Sequence, residues 1–103
     1  MKSRILIAAA ILLVLAATVA RAHDEFRIIG TITAAQPTQL QVKSRDGKAL
    51  SIKVNDETLV YRDNKKVTRT ELKAGRFVVV DALGDTIEDS LALEVRIVPS
   101  LPK

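Results

Sequence analysis

Cysteine and tryptophan are absent from this chain of 103 residues, and its aromatic side chains are one tyrosine and two phenylalanines. A chain without cysteine forms no disulfide and offers no thiolate nucleophile. Three aromatic side chains are too few for the stacking platforms on which proteins bind single-stranded nucleic acid. The domain must therefore be stabilised by its apolar core, and cysteine-dependent catalysis is excluded.

The first 22 residues have the three parts of a secretory signal peptide. Lys2 and Arg4 give a positive start, an uncharged apolar run follows, and an Ala-Arg-Ala motif ends at Ala22. The apolar run is shorter than the roughly 20 residues of a membrane-spanning helix. We predict cleavage after Ala22 and a periplasmic or secreted protein with no stable membrane span. The alternative is an uncleaved single-span anchor.

Cleavage removes most of the positive charge. The whole chain has a formal net charge of +4. Lys2, Arg4 and Arg21 leave with the signal, so sixteen basic residues become thirteen against twelve acidic ones. A nearly neutral domain has no global field that attracts nucleic acid. We therefore predict no nucleic-acid partner.

Apolar and polar residues alternate with a period of two through most of the remaining chain, which predicts β-strands. The predicted strands cover residues 26–35, 38–44, 49–54, 58–61, 76–83 and 91–98. Asp46 and Gly47 suit the tight turn between the second and third strands. Residues 68–73 predict one helical turn, which a threonine caps and Gly75 ends.

Two of these strands contain features that set their geometry. Gly30 interrupts the first strand, and a glycine inside a strand is typical of a bulge or a tight bend. In the last strand the alternation directs one set of side chains towards the core: Leu91, Leu93, Val95 and Ile97.

The pattern predicts an all-β fold, a small OB-like antiparallel barrel of five to six strands with one short helical turn. The barrel covers residues 23–98, and residues 99–103 form a polar tail. Closure of a barrel removes the exposed strand edges that a small exported domain would otherwise present. A two-sheet sandwich is the competing arrangement.

Four motifs occur in an order that resembles a known family. The chain contains F-R-x-x-G-T-I at residues 26–32, D-G between two alternating strands, E-L-K-A-G at residues 71–75 and A-L-E-V-R-I-V at residues 92–98. The order is similar to that of the bacterial exported family called domain of unknown function 5666. The resemblance implies an exported, small OB-type barrel and brings no catalytic residues with it.

Acidic residues gather around the predicted loop after residue 84. Asp81, Asp85, Glu88 and Asp89 could in principle supply a carboxylate pair, but such chemistry needs a cleft that raises one pKa. The loop also lacks the D-x-D-x-D-G ligand spacing of calcium loops. We interpret these residues as solvated loop acids and predict that the protein is not an enzyme and uses no cofactor.

Tyr61 and Arg62 form the most plausible exposed aromatic and cationic pair for contact with a peptide or glycan. The alternative is that Tyr61 packs with its hydroxyl at the rim, as buried tyrosines often do. We predict a monomeric, non-catalytic binding module in the bacterial cell envelope, whose partner is an envelope protein or polymer.

A metal-binding function is the alternative hypothesis. Cleavage after Ala22 leaves His23 first, so that its α-amino group and imidazole could chelate one ion, with Asp24 or Glu25 adding an oxygen ligand. Copper(II) or nickel(II) suits such a ligand set. A copper(I) site would need sulfur ligands, which the mature chain lacks.

Overall fold

The computed structural model describes residues 24–102, which form seven β-strands and one short 3₁₀ turn. The strands are β1 (Asp24–Ala35), β2 (Gln39–Ser44), β3 (Ala49–Lys53), β4 (Leu59–Arg62), β5 (Lys65–Val67), β6 (Phe77–Gly84) and β7 (Leu91–Val98). The turn, Arg69–Glu71, precedes β6 as the sequence predicts. The all-β prediction is confirmed. Within residues 24–102, no helix has the length and apolar character needed to cross a bilayer.

The strands form one mixed sheet that closes on itself. Its order is β3-β2-β1-β6-β7-β4-β5, and β3 also pairs with β7. That pairing joins Lys53 to Leu91, and the Lys53 N–H donates to the Ser90 carbonyl at 3.0 Å. Five strands, β1-β2-β3-β7-β6, therefore form a ring of hydrogen bonds, and the β4–β5 hairpin extends the sheet from β7.

The sheet is not wholly antiparallel, which corrects that part of the prediction. Both β3 and β4 run parallel to β7, and Leu59 of β4 lies opposite Glu94. The two strands follow one another along the same edge of β7, separated by the turn at residues 55–58. Because the chain continues in one direction through that turn, both strands keep the same orientation relative to β7.

One strand, β5, is absent from the sequence-based prediction. The predicted polar turn at residues 62–66 is a tight hairpin in which Asp63 and Asn64 have φ angles of 54° and 62°. Two consecutive positive φ angles are the mark of a type I′ turn, which Asp and Asn tolerate. The strand that follows has only three residues, two of them lysine, so no alternation reveals it.

A bulge in β7 overturns the predicted inward position of Leu93. Asp81 of β6 pairs with Glu94, but the next residue, Ala82, pairs with Ala92. Leu93 is therefore the extra residue, and it is 45% exposed while Ala92 is buried. A bulge changes which residues face inward, because it inserts one residue into a pattern of period two.

Gly30 lies within a continuous part of β1, and the irregularity in the β1–β2 ladder falls between Ile32 and Ala34. The bulge expected at Gly30 is therefore displaced along the strand. A Cβ atom on Gly30 would lie 2.2 Å from the carbonyl oxygen of Lys43. Gly30 permits a close approach of two backbones, which is the other use of a glycine inside a strand.

The core fills the inside of the ring and includes one residue next to the 3₁₀ turn, Leu72. Its buried apolar side chains are Ile28, Ile32, Leu40, Val42, Ile52, Val54, Val60, Leu72, Val78, Val80, Ala82, Ala92, Val95 and Ile97. The buried hydroxyl of Thr58 donates to the Ala92 carbonyl at 2.7 Å. That of Ser90 donates to the Ile87 carbonyl at 2.6 Å, so both polar groups are satisfied.

Candidate functional site

Tyr61 and Arg62 are neighbours in β4, so their side chains leave the strand on opposite faces. Tyr61 is half-buried and stands in register with Lys66 of β5 and Arg96 of β7. The guanidinium of Arg62 lies 3.4 Å from Oε1 of Glu71. The structure therefore places these two candidate residues on different surfaces.

Arg62 belongs to a three-residue ion cluster. The second carboxylate oxygen of Glu71, Oε2, lies 3.5 Å from Nη2 of Arg76. The cluster links the 3₁₀ turn to the end of β4 and to the residue before β6. Since both oxygens of Glu71 face arginines, the geometry assigns Arg62 a part in holding the turn in place.

The metal hypothesis depends on His23, which lies outside the described residues. Asp24 is exposed at the start of β1 and pairs through its backbone with Gly84. Among residues 24–102, no three His, Cys, Asp or Glu side chains are grouped as a metal site.

Two of the four acidic residues considered for carboxylate chemistry, Asp81 and Asp89, lie in separate ion pairs. Asp81, on the outer face of β6, lies 3.1 Å from Nε of Arg27. Asp89, in the loop before β7, lies 3.6 Å from Nζ of Lys53. Each of these carboxylates therefore faces a cation, and they serve as charged surface groups.

The first part of β1 has one unpaired edge. Residues 24–31 pair with β6, whereas pairing with β2 begins at Gly30. The β2–β3 hairpin turns at residues 45–48, and its last bond to β1 is from the Arg45 N–H to the Ile29 carbonyl at 2.8 Å. We call residues 24–28 the edge segment, because no strand of the described residues lies along their second side.

The unpaired side of the edge segment presents the backbone groups of alternate residues. N–H and C=O groups of one residue point to the same edge of a strand, and those of the next residue point to the other. Because Ile29 accepts its bond from the hairpin, Arg27 and Glu25 point their backbone groups to that same side. Within residues 24–102, two N–H donors and two C=O acceptors thus have no strand partner and face a position where a further strand could pair.

A groove of about 320 Å³ runs beside this edge, and we call it the β1 groove. Its volume is at the small end of the range for ligand sites. Leu50 and Ile87 are half-buried apolar side chains packed against the core in its floor. The remaining residues that line it are Arg27, Ile28, Ile29, Ser44, Arg45, Asp46 and Lys48.

The polar rim of the β1 groove carries more positive than negative charge. Arg27, Arg45 and Lys48 contribute cations, and Asp46 contributes a single carboxylate. The hydroxyl of Ser44 donates a hydrogen bond to that carboxylate, which lowers the pKa of Asp46 below its ordinary value. Arg45 also donates to the Pro102 carbonyl at 2.6 Å and so ties down the C-terminal tail.

No family model, curated protein or solved structure matches this chain. The resemblance to domain of unknown function 5666 therefore stays a prediction.

Sequence reasoning did not identify the β1 groove. Arg27 and Lys48 are single charged residues in a strand and a turn, where exposed cations are common. The feature that indicates an uncovered edge is the difference in length between two paired strands, since β1 has 12 residues and β2 has 6. A long strand beside a short neighbour leaves an edge uncovered, but that neighbour is known only once the pairing is known.

Proposed function

We propose that this chain is an exported, non-catalytic binding module of the bacterial cell envelope, and that its ligand lies in the β1 groove. One observation carries the proposal: within residues 24–102, the backbone groups of Glu25 and Arg27 have no strand partner on one side, and Arg27 lines a groove with an apolar floor and a charged rim. Unpaired strand edges are sites where other chains pair with a sheet. The features of residues 1–22 support export.

The order of the ring supports an OB-type barrel. The five ring strands occur in the order β1-β2-β3-β7-β6, and the last pairs again with β1. The 3₁₀ turn precedes β6, which is the fourth of the five ring strands in chain order. OB-type barrels bind extended polymers on strand faces and adjoining loops. Fold alone does not establish function, and the specific evidence for a ligand is the groove.

The chemistry of the groove favours binding over catalysis. Its polar side chains are two arginines, one lysine, one serine and one aspartate. Asp46 is ionised at neutral pH, as an ordinary aspartate is, and the hydrogen bond from Ser44 lowers its pKa further, so this carboxylate is a poor proton donor. Fixed charges around an apolar floor select a ligand by charge and shape.

Site-specific photo-crosslinking in living cells tests this function. A photoreactive residue replaces Lys48 at the groove rim, and a matched variant carries it at Lys66, an exposed lysine of the other hairpin. We expect an envelope adduct from Lys48 and none from Lys66. Equal adducts from both positions, or none from either, would contradict the proposal.

Fractionation and intact mass test export in the same cells. We expect the protein in the envelope fraction with a mass that begins at His23. A protein that keeps its first 22 residues would be anchored, and one found only in the cytoplasm would exclude an envelope function.

A further inference from the structure

The edge segment has the geometry of an acceptor for an added strand. Its five residues span about 16 Å at 3.3 Å per residue. Because the hairpin ends beside Ile29, a strand that continues the line of β2 would next lie opposite Ile28 and then Arg27. Such a strand runs antiparallel to β1 and exchanges two backbone hydrogen bonds with Arg27 and two with Glu25.

The side chains around the edge specify the sequence of that strand. Residues paired across two strands project their side chains to the same face. Phe26 and Ile28 face inward, so the residues opposite them lie over the apolar floor formed by Leu50 and Ile87. Apolar side chains suit these alternate positions of the added strand.

The outward positions of the added strand are specified by charge. Arg27 and Glu25 are both exposed on the outer face. An acidic side chain opposite Arg27 would share its guanidinium with Asp81, whose Oδ1 lies 3.1 Å from Nε, and Arg45 also lines the groove there. A basic side chain fits opposite Glu25. Read from its amino end, the complementary strand is apolar, acidic, apolar and basic at the four positions opposite residues 28, 27, 26 and 25.

We propose that the β1 groove binds an extended peptide of this pattern as an added antiparallel strand, through recognition of backbone and charge together. The proposal rests on the proposed function, in which this groove is the binding site. Strand addition obtains affinity from the backbone and specificity from alternate side chains. The occupant is a segment of a partner protein.

A second copy of this chain suits the groove less well than a free peptide does. Its own β1 also reads acidic, apolar, basic at Glu25, Phe26 and Arg27. The side chain of Phe26, however, already packs against the core of its own molecule. It cannot also reach the floor of a neighbour's groove, whereas the side chains of an extended peptide are free to do so.

Titration of the isotopically labelled protein, followed through its amide NMR signals, tests the proposal. The probe is the capped peptide Thr-Val-Glu-Val-Lys-Val-Thr. A control peptide exchanges the glutamate and the lysine, which preserves composition and net charge. We expect shifts at the amides of Glu25 and Arg27, and binding of the control that is about tenfold weaker, because both charge pairs become repulsive.

A second control peptide carries an N-methyl group on its glutamate. This change removes the N–H that bonds to the Arg27 carbonyl and leaves every side chain in place. We expect affinity to fall at least about tenfold. Unchanged affinity would show that backbone pairing is not used, and the proposal would be wrong.

Two variants of the protein test the same contacts from the other side. Glu25→Lys should weaken binding of the probe and strengthen binding of Thr-Val-Glu-Val-Glu-Val-Thr, while Glu57→Lys, in the distant turn at residues 55–58, should change neither. Glu25→Pro should abolish binding with the fold retained, because this N–H faces away from β6. If Glu25→Pro fails to fold, the methylated peptide still decides the question.

The remaining outcomes separate this proposal from the proposed function. Shifts away from the β1 groove, or dimerisation through β1, would overturn strand addition by a peptide. Binding of an acidic oligosaccharide in the groove, with no peptide binding, would overturn it as well. If the photoreactive residue at position 48 still forms an envelope adduct in these cases, the proposed function stands. If that adduct is also absent, strand addition and the proposed function are both wrong.

Discussion

Two parts of β1 differ in a way that organises this molecule. Residues 30–32, which we call the central segment, have paired neighbours on both sides, and the Ile32 N–H donates to the Arg76 carbonyl at 2.9 Å. The edge segment, residues 24–28, shares the same β6 neighbour but has no second one among the described residues. The central segment of β1 is thus part of the closed ring, whereas the edge segment of the same strand has one side without a strand partner among the described residues.

The composition of the two segments follows this difference. The central segment contains no charged side chain, whereas the edge segment contains Asp24, Glu25 and Arg27. Charged side chains on an open edge hinder unselective pairing with other chains. The same charges restrict the edge to a complementary partner. The residues that hinder unselective pairing at a strand edge can therefore be the same residues that select a complementary partner.

The largest expected effect is in the central segment. Gly30→Val places a Cβ 2.2 Å from the Lys43 carbonyl oxygen and 2.7 Å from Cγ1 of Val42. Because the neighbouring backbone is held in the ring, we expect a loss of about 4 kcal/mol or more in the free energy of unfolding. Chemical denaturation followed by circular dichroism measures it.

Gly47→Ala is the control for that substitution. An added Cβ there meets nothing within 4 Å, but φ is 92°. The left-handed backbone alone should therefore cost about 1 kcal/mol. Equal losses for the two variants would show that the close approach of the two backbones at Gly30 does not exclude a side chain there.

A second prediction compares two isoleucines on the inner face of β1. Ile32→Ala should lower the free energy of unfolding by about 3 kcal/mol, because Ile32 is 1% exposed and a cavity would remain. Ile28→Ala should cost about 2 kcal/mol, because the space that it vacates adjoins the β1 groove. Urea unfolding of both variants measures the difference, and a larger loss for Ile28→Ala would contradict it.

Hydrogen exchange sharpens the comparison within the edge segment itself. The amides of Phe26 and Ile28 point to β6, whereas those of Glu25 and Arg27 point to the unpaired side. We expect the first pair to exchange about 100-fold more slowly than the second, since strand-paired amides exchange only through opening. Amide hydrogen exchange measured by NMR distinguishes exchange rates that alternate along residues 25–28 from rates that are equally slow at all four. Equally slow rates would mean that another segment covers the unpaired side.

The smallest expected effect concerns pH at the rim of the groove. The Ser44 hydroxyl lowers the pKa of Asp46 in the folded state below its ordinary value of 3.8. The stabilising contribution of this carboxylate is therefore complete above the unfolded-state pKa and is lost as the pH falls through the lower folded-state pKa. An NMR titration should show a low midpoint that Ser44→Ala raises. An unchanged midpoint would exclude the hydroxyl as its cause.

Most strands could be predicted because their signal is local. Leu40 and Val42, then Leu50 and Ile52, alternate with polar neighbours on the two sides of Gly47, and all four lie in the predicted hairpin. The alternation failed at Leu93, because a bulge is a property of two paired strands. Neither the sequence of β7 nor that of β6 marks it.

The candidate site was harder to predict than the fold. Tyr61 and Arg62 are adjacent in sequence, and strand geometry alone separates their side chains. The β1 groove combines Arg27, Leu50 and Ile87 from three distant parts of the chain. A free edge also has no residue signature, because it is defined by the neighbour that a strand does not have.

The sequence by itself determined the all-β class, the β2–β3 hairpin and the short turn before β6, since these depend on alternation and on residues that tolerate particular backbone angles. Only the tertiary structure decided the ring closed by Lys53 and Leu91, the parallel pairing of β4 with β7 and the open edge of β1. The physical reason is that backbone hydrogen-bonding groups are the same in every residue. Which of them remain unpaired therefore depends on where the strands meet.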